Sequence, residues 1–402
     1  MTTAPVRDVA VVGGGPAGCA AAIALRAAGL EVTLVDDGRP GAGGVGQTLP
    51  APAMPLLARL GAWEAIPAAG RLPCAGLSSA WGKQELAWQD GFTQPLGSGW
   101  HVDRGLLDPA LRRMAAASGA RLLGGHRVTA ARQAPGRGWV LSIAASGWIR
   151  EAGGSGSGRA RDATGTGDCL RLPASFLVDA SGRRAVIARR GGQRHVADRL
   201  MAVHARLDPP AGAPVLHHAT IESGRDGWWY AAARPDGGAT AAFFSDPDLI
   251  WLLSAAGPDG WHRVLRGTRH AFGALGSPAR PAAVRAAAAS SGCMIRLHGP
   301  GWAAAGDAAT AWDPLSSAGL TMALWSGLEV AAAVCRARDG DQAALPRYEH
   351  EVHRRYTAFL AQRAGYYHAE RRWPAAPFWS RRAPQWPLGN GSGLSRSWRG
   401  SP

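Results

Sequence analysis

The sequence predicts an α/β fold: a sheet-and-helix dinucleotide-binding domain carrying an inserted β-sheet lobe and a C-terminal helical segment. Three observations predict it. An apolar strand, a glycine-rich turn, an Ala-rich helix and a second strand follow one another between Asp8 and Asp37. A second strand, ending in Gly306-Asp307, leads through a Pro-to-Gly loop into an apolar helix that runs to about Arg336. Finally, 402 residues at 46% hydrophobic and 18% charged give room for a large core with an extra lobe, and exclude global disorder.

Val9 to Val12 forms the first buried strand, and Gly13-Gly14-Gly15-Pro16-Ala17-Gly18 forms the turn. Gly29 stops the helix, and Val32 to Val35 makes the second strand, closed by Asp36. A turn of this kind lets the backbone approach a pyrophosphate and aims helix N-terminal N–H groups at it. The acid that ends the second strand then accepts hydrogen bonds from a ribose. Gly13, Gly15, Pro16, Ala17, Gly18 and Asp36 are therefore the predicted dinucleotide contacts.

Gly301-Trp302-Ala303-Ala304-Ala305-Gly306-Asp307 and the loop Asp313-Pro314-Leu315-Ser316-Ser317-Ala318-Gly319 resemble the FAD-binding region of the flavoprotein aromatic hydroxylases and flavin-dependent halogenases. That resemblance implies FAD on a Rossmann-like domain of the glutathione-reductase and aromatic-hydroxylase type. It implies that Gly306 and Asp307 hold the ribityl chain. It places Pro314, Ser317, Ala318 and Gly319, with the helix N-terminus behind them, beside the flavin pyrimidine, where reduced flavin carries negative charge. Leu177 to Arg184 resembles the middle fingerprint of the same family, with Asp179 as its acid. Gly46 to Pro50 is similar to the loop after the second strand, with Gln47 where Glu is common. Trp100-His101-Val102-Asp103-Arg104 resembles the segment whose arginine touches the flavin, which gives Arg104 that role.

Three further segments, Ser79-Ala80-Trp81-Gly82, Gly227-Trp228-Trp229-Tyr230 and Tyr366 through Arg382, resemble the flavoprotein monooxygenases that mature quinone cofactors. Those serve quinohemoprotein amine dehydrogenase and the lysine oxidases. The resemblance implies hydroxylation of a tryptophan within an acidic partner polypeptide, a small dehydrogenase subunit, on the way to cysteine tryptophylquinone. NAD(P)H would be the reductant and molecular oxygen the co-substrate, through a flavin C4a-hydroperoxide. Two other readings stay open: a hydroxylase or halogenase of a free small aromatic, and an FAD-bound assembly partner that oxidises nothing. No Ser-His-Asp set, H-E-x-x-H or metal-spaced His/Cys cluster occurs, as expected where a bound flavin does the chemistry.

Catalytic candidates on the substrate side are Trp228, Trp229 and Tyr230, which alternate on a strand so that one face meets ligand and the other core. His101 is a candidate proton relay, against the alternative of a structural histidine beside Arg104. Lys83, the sole lysine among 44 basic residues, matters because tryptophan halogenases use one. Its surroundings do not match the halogenase segment, and the halogenase Trp-x-Trp-x-x-Pro pattern is missing, so it reads as a surface residue.

The net charge of +15 fits either a GC-rich coding bias or an acidic partner. The arginines are dispersed, which argues against nucleic acid. Between Arg347 and Arg382, eight arginines face three glutamates, and their outer face is the expected partner surface, with a solvated helix face as the alternative. No run of eighteen apolar residues predicts a membrane span, and no basic-then-apolar leader opens the chain. Five scattered cysteines, none in C-x-x-C, point to a reducing cytoplasm. The expected organisation gives 1–75, 100–200 and 290–345 to the FAD domain and 76–99 and 201–289 to the lobe. The remainder, 346–402, is a helical segment ending in a loose tail. Glu151 to Asp168 reads as a low-complexity excursion between two strands.

Overall fold

The computed structural model describes residues 7–39, 48–91, 96–134, 138–146, 170–210, 212 and 217–382. Gln47, the 151–168 excursion and the chain beyond 382 lie outside them. The larger sheet is centred on four parallel contacts among Val-, Leu- and Ala-rich strands. Arg7–Val12 pairs with Val32–Asp36 on one side and Leu170–Asp179 on the other. Arg121–Gly124 and Trp302–Ala304 extend the parallel run outward. Val9, Val11, Leu34, Leu177 and Ala303 are buried, as strands covered on both faces require. The strands Gly138–Ala145 and His126–Ala134 branch off Leu170–Asp179 as an antiparallel meander.

The helix Pro16–Ala27 packs against Gly319–Arg338, and glycine makes the contact possible. A Cβ at Gly327 would lie 2.3 Å from the Ala17 carbonyl oxygen. Gly319–Arg338 is long and apolar enough to cross a membrane by composition alone, but it is half buried inside the protein, against the first helix and the Ala344–Ala369 helix.

The second sheet has seven strands in the order Arg285–Ala288, Met201–Leu207, Ala239–Ser245, Gly227–Ala233, His218–Gly224, Gly76–Ala80 and Ala87–Asp90. Its two faces feed two separate cores. Trp228, Tyr230 and Phe244 face one way, towards Tyr367, Phe378 and Trp379. Trp229 and Phe243 face the other way, onto Trp261 and Leu265. This is the period-2 alternation of a strand put to use. Two small three-stranded sheets stitch the units together, one of them joining Thr48–Leu49, Gly99–Val102 and Arg71–Cys74.

Candidate active site

A cavity of about 690 Å³ runs from the glycine-rich turn to the face of the seven-stranded sheet. Gly13 to Ala17 line its nucleotide end. Gly13 has φ +110°, and a Cβ there would sit 2.2 Å from the Ala180 carbonyl oxygen. At Gly18 the added atom would meet the Gly13 carbonyl oxygen at 1.8 Å, so this glycine serves close packing and does not line the cavity. Gly15 has nothing within 4 Å of where its Cβ would be, leaving the backbone open to a ligand. Pro16 occupies the first helical turn, where no donor is lost.

Asp36 lines the cavity and pairs with Arg112 at 3.3 Å; burial pushes its carboxyl above the usual range, with Arg112 opposing. Arg104 also lines it, held by a two-pronged contact to Asp108 at 2.8 and 3.0 Å. Asp307 faces the cavity, 3.5 Å from the Arg183 guanidinium, and its main-chain carbonyl accepts from Arg194. Gly306, at φ +61°, lies against the first helix, where a Cβ would stand 2.7 Å from that of Ala17. Pro314, Ser317 and Gly319 line the cavity ahead of the second helix N-terminus, and Ala318 is that helix's cap residue. Two helix N-termini thus open on one cavity, an arrangement that favours anionic groups at both places.

Asp179 departs from the sequence reading. It is fully buried and absent from the cavity wall. One carboxylate oxygen accepts from Ser181 N and Oγ, and the other from the Ile187 and Ala188 N–H groups. Its carboxylate is consumed in folding the turn that carries Ser181, Gly182 and Arg183 to the cavity.

At the lobe end, Trp228, Tyr230 and Phe244 line the cavity together with Ala202 and Ala287, which sit in register with Phe244 along the same sheet. Trp228 stacks on Phe244 with ring centroids 4.0 Å apart and planes within 15°. Trp229 points away and packs on Trp261, so it is a core residue and not a site residue. His101 is buried and does not line the cavity, yet it touches it at one remove. Its Nδ1 lies 3.1 Å from Thr48 Oγ1, which lies 2.7 Å from the Tyr230 hydroxyl. Burial holds its imidazole at a pKa of about 4, so it is neutral. Lys83 is exposed in the turn after Trp81 and lies outside the cavity.

The three aromatic segments of the sequence meet in one place. Trp81 donates from Nε1 to the Tyr366 carbonyl at 2.7 Å, and Trp379 donates to the Gly224 carbonyl at 2.9 Å. The Trp228 indole N–H donates to the Tyr367 hydroxyl, which donates to Asp313, a cavity-lining carboxylate also gripped by Arg363. The C-terminal arginines therefore do not form a free basic face. Arg347, Arg354, Arg355, Arg363, Arg372, Arg381 and Arg382 each pair with a carboxylate of this chain. The expected partner surface is largely neutralised from within.

Sequence reasoning missed Thr48, Arg112 and Asp313. Arg112 carried a signal, because it lies two helical turns after Arg104 on the same face. Asp313 and Tyr367 carried none, since only folding brings them together.

The glycine cradle, the two helix termini and the ring of polar side chains between them fit FAD, the donor set one would assemble for a pyrophosphate, ribose and flavin edge. Comparison with known proteins agrees. Residues 8–199 match the family model "FAD dependent oxidoreductase". Over that segment, just under half of the chain, it is similar to the FAD-dependent oxidoreductases. It is 30% identical over 210 residues to the FAD-dependent oxidoreductase LodB of Marinomonas mediterranea, across 52% of this chain and 56% of LodB. The match thus spans just over half the length of that relative. The flavin-dependent halogenase CmlS shares the fold at TM-score 0.80 and 22% identity, covering 98% of this chain and 70% of its own. The peptidyl tryptophan dihydroxylase QhpG, essential for tryptophylquinone cofactor biogenesis, shares it at TM-score 0.71 and 23% identity, covering 94% and 79%. The chain therefore shares its fold with both a halogenase and a hydroxylase.

Proposed function

We propose that this flavoprotein is a monooxygenase that hydroxylates a tryptophan side chain in a partner polypeptide, with NAD(P)H as reductant. The observation that carries the reading is the convergence of the Trp81, Trp228 and Tyr367–Trp379 segments. They form one aromatic assembly behind the lobe end of the cavity. These are the segments that resemble quinone-cofactor maturation flavoproteins, and the QhpG fold supports the same reading.

Bound FAD supplies the activation of oxygen. Gly13 to Ala17, Asp36, Arg104, Asp307 and the 314–319 loop would hold it; Gln47 and Ala318 belong to the same proposed set, and Asp179 supports it from behind. The chain's own work is positional. The Trp228–Phe244 stack, in one row of the sheet with Ala202 and Ala287, gives the lobe end an apolar wall against which an aromatic ring would pack. The surrounding aromatic and aliphatic side chains keep water from the reacting end. Tyr230 and Thr48 offer hydroxyl groups there.

The location of Lys83 outside the cavity disfavours halogenation through it. The substrate class is tested by NADH oxidation in the presence of an acidic Trp-bearing polypeptide and, separately, of free indole or tryptophan. Coupled oxidation and product with the polypeptide alone are expected. Product with the free ring alone would replace this reading with a small-aromatic hydroxylase. Maturation in cells by variants that bind no FAD would replace it with an assembly role.

A further inference from the structure

His101, Thr48 and Tyr230 form a hydrogen-bonded line that ends at the cavity wall, and one orphaned atom fixes its direction. His101 Nδ1 faces Thr48 Oγ1 at 3.1 Å, whereas Nε2 is buried with no partner among the described residues. Strands Thr48–Leu49 and Arg71–Cys74 close over His101 from both sides. Of the two neutral tautomers, one would bury an unpaired N–H and the other an unpaired ring lone pair. A buried donor without a partner is the rarer and costlier arrangement. The proton therefore sits on Nδ1, and His101 donates to Thr48. Thr48 is then free to donate to the Tyr230 oxygen, 2.7 Å away. The Tyr230 hydroxyl has no other partner among the described residues, so its own proton is left for whatever occupies the cavity.

We infer that Tyr230 is a directed hydrogen-bond donor into the lobe end of the cavity, with Thr48 and His101 as positioning residues that set its direction. Burial keeps the imidazole neutral, and the nearby His218 and His217 push the same way, so the line does not reverse near neutral pH. A donor there suits an oxygen that gains negative charge as one atom of O2 passes to an aromatic ring. Fixed donors aimed at developing charge in a water-poor site are among the strongest catalytic devices. Only the identity of that acceptor rests on the proposed monooxygenation; the direction of the line does not.

Two measurements on the FAD-loaded protein test this separately. In the first, imidazole nitrogens are labelled with ¹⁵N and the His101 signals are assigned by their loss in His101→Asn. The expected spectrum shows a neutral ring protonated on Nδ1 from pH 8 down to 5.5. A proton on Nε2, or an imidazolium above pH 6, overturns the inference, whatever the protein oxidises. In the second, hydroxylated product per NADH consumed is compared among variants whose visible flavin absorption shows FAD bound. Tyr230→Phe should lower it about 100-fold. His101→Leu should lower it about tenfold, and His101→Asn, which keeps an N–H towards Thr48, should recover most of that loss. Equal losses in the Leu and Asn variants would make His101 a packing residue and sink the positioning role. Failure of the wild type to oxidise any aromatic would defeat the monooxygenase reading alone and leave the nitrogen spectrum to decide the donor line.

Discussion

At the nucleotide end the cavity is shaped by main chain: Gly13 and Gly15, a proline at the start of a helix, and peptide N–H groups. At the lobe end it is shaped by side chains drawn from Thr48, Trp228, Tyr230, Phe244 and Asp313, far apart along the chain. The first kind of site demands particular residues at fixed short spacing, because a Cβ at Gly13 or Gly18 collides with backbone that cannot move aside. The second kind can be assembled from many residue combinations, provided the fold brings them together. The comparison teaches that cofactor binding and substrate handling in this protein should fail independently.

The largest effect is expected at the rigid end. Gly13→Ala forces a side chain into a position at φ +110° and 2.2 Å from a carbonyl oxygen. FAD affinity, read by flavin fluorescence on titration, should fall at least about 100-fold. Retention of near-normal affinity would break the claim that backbone shape defines this end.

Next in size is a pH effect centred on buried histidines, one near the cavity and one in the lobe. His101 and His204 both have folded-state pKa values lowered to about 4 from 6.5, chiefly by burial. The unfolded chain takes up protons below 6.5 while the folded chain does not. Stability from this source is thus fully present above pH 6.5 and is lost as pH falls towards 4, by about 3 kcal/mol for each residue. Urea melts at pH 7 and pH 5 should show the loss, and His101→Asn should remove about half of it.

A smaller effect sharpens the comparison from the lobe side. Trp228→Phe keeps a ring against Phe244 but deletes the N–H that Tyr367 accepts. FAD affinity should stay within about threefold, while polypeptide product falls about tenfold through a misplaced ring. A parallel loss of both would show that the two ends are one unit. The smallest effect is expected at Lys83→Ala, an exposed site outside the cavity, with product and stability unchanged within about twofold.

The legibility of the sequence followed the same division. Strand order around Asp8–Asp37, the glycine turn and the Gly306–Gly319 loop could be read because their chemistry is local. The alternation of Trp228, Trp229 and Tyr230 could be read as two faces, but which face met the cavity could not. Asp179 was misplaced because its motif marks a turn the cavity needs rather than a wall of the cavity. The arginine-rich tail misled for a related reason. Asp246, Asp248, Asp198 and Asp313, which pair with Arg363, Arg381 and Arg382, lie fifty residues or more earlier, so local charge counting could not include them.

The most direct test of the account is the intact mass of an acidic Trp-bearing polypeptide after incubation with this protein, FAD, NADH, chloride and ¹⁸O-labelled dioxygen. The account predicts one or two labelled oxygens on a tryptophan, and none when NADH is omitted. Addition of chlorine, or an unmodified polypeptide alongside oxidised free indole, would contradict it.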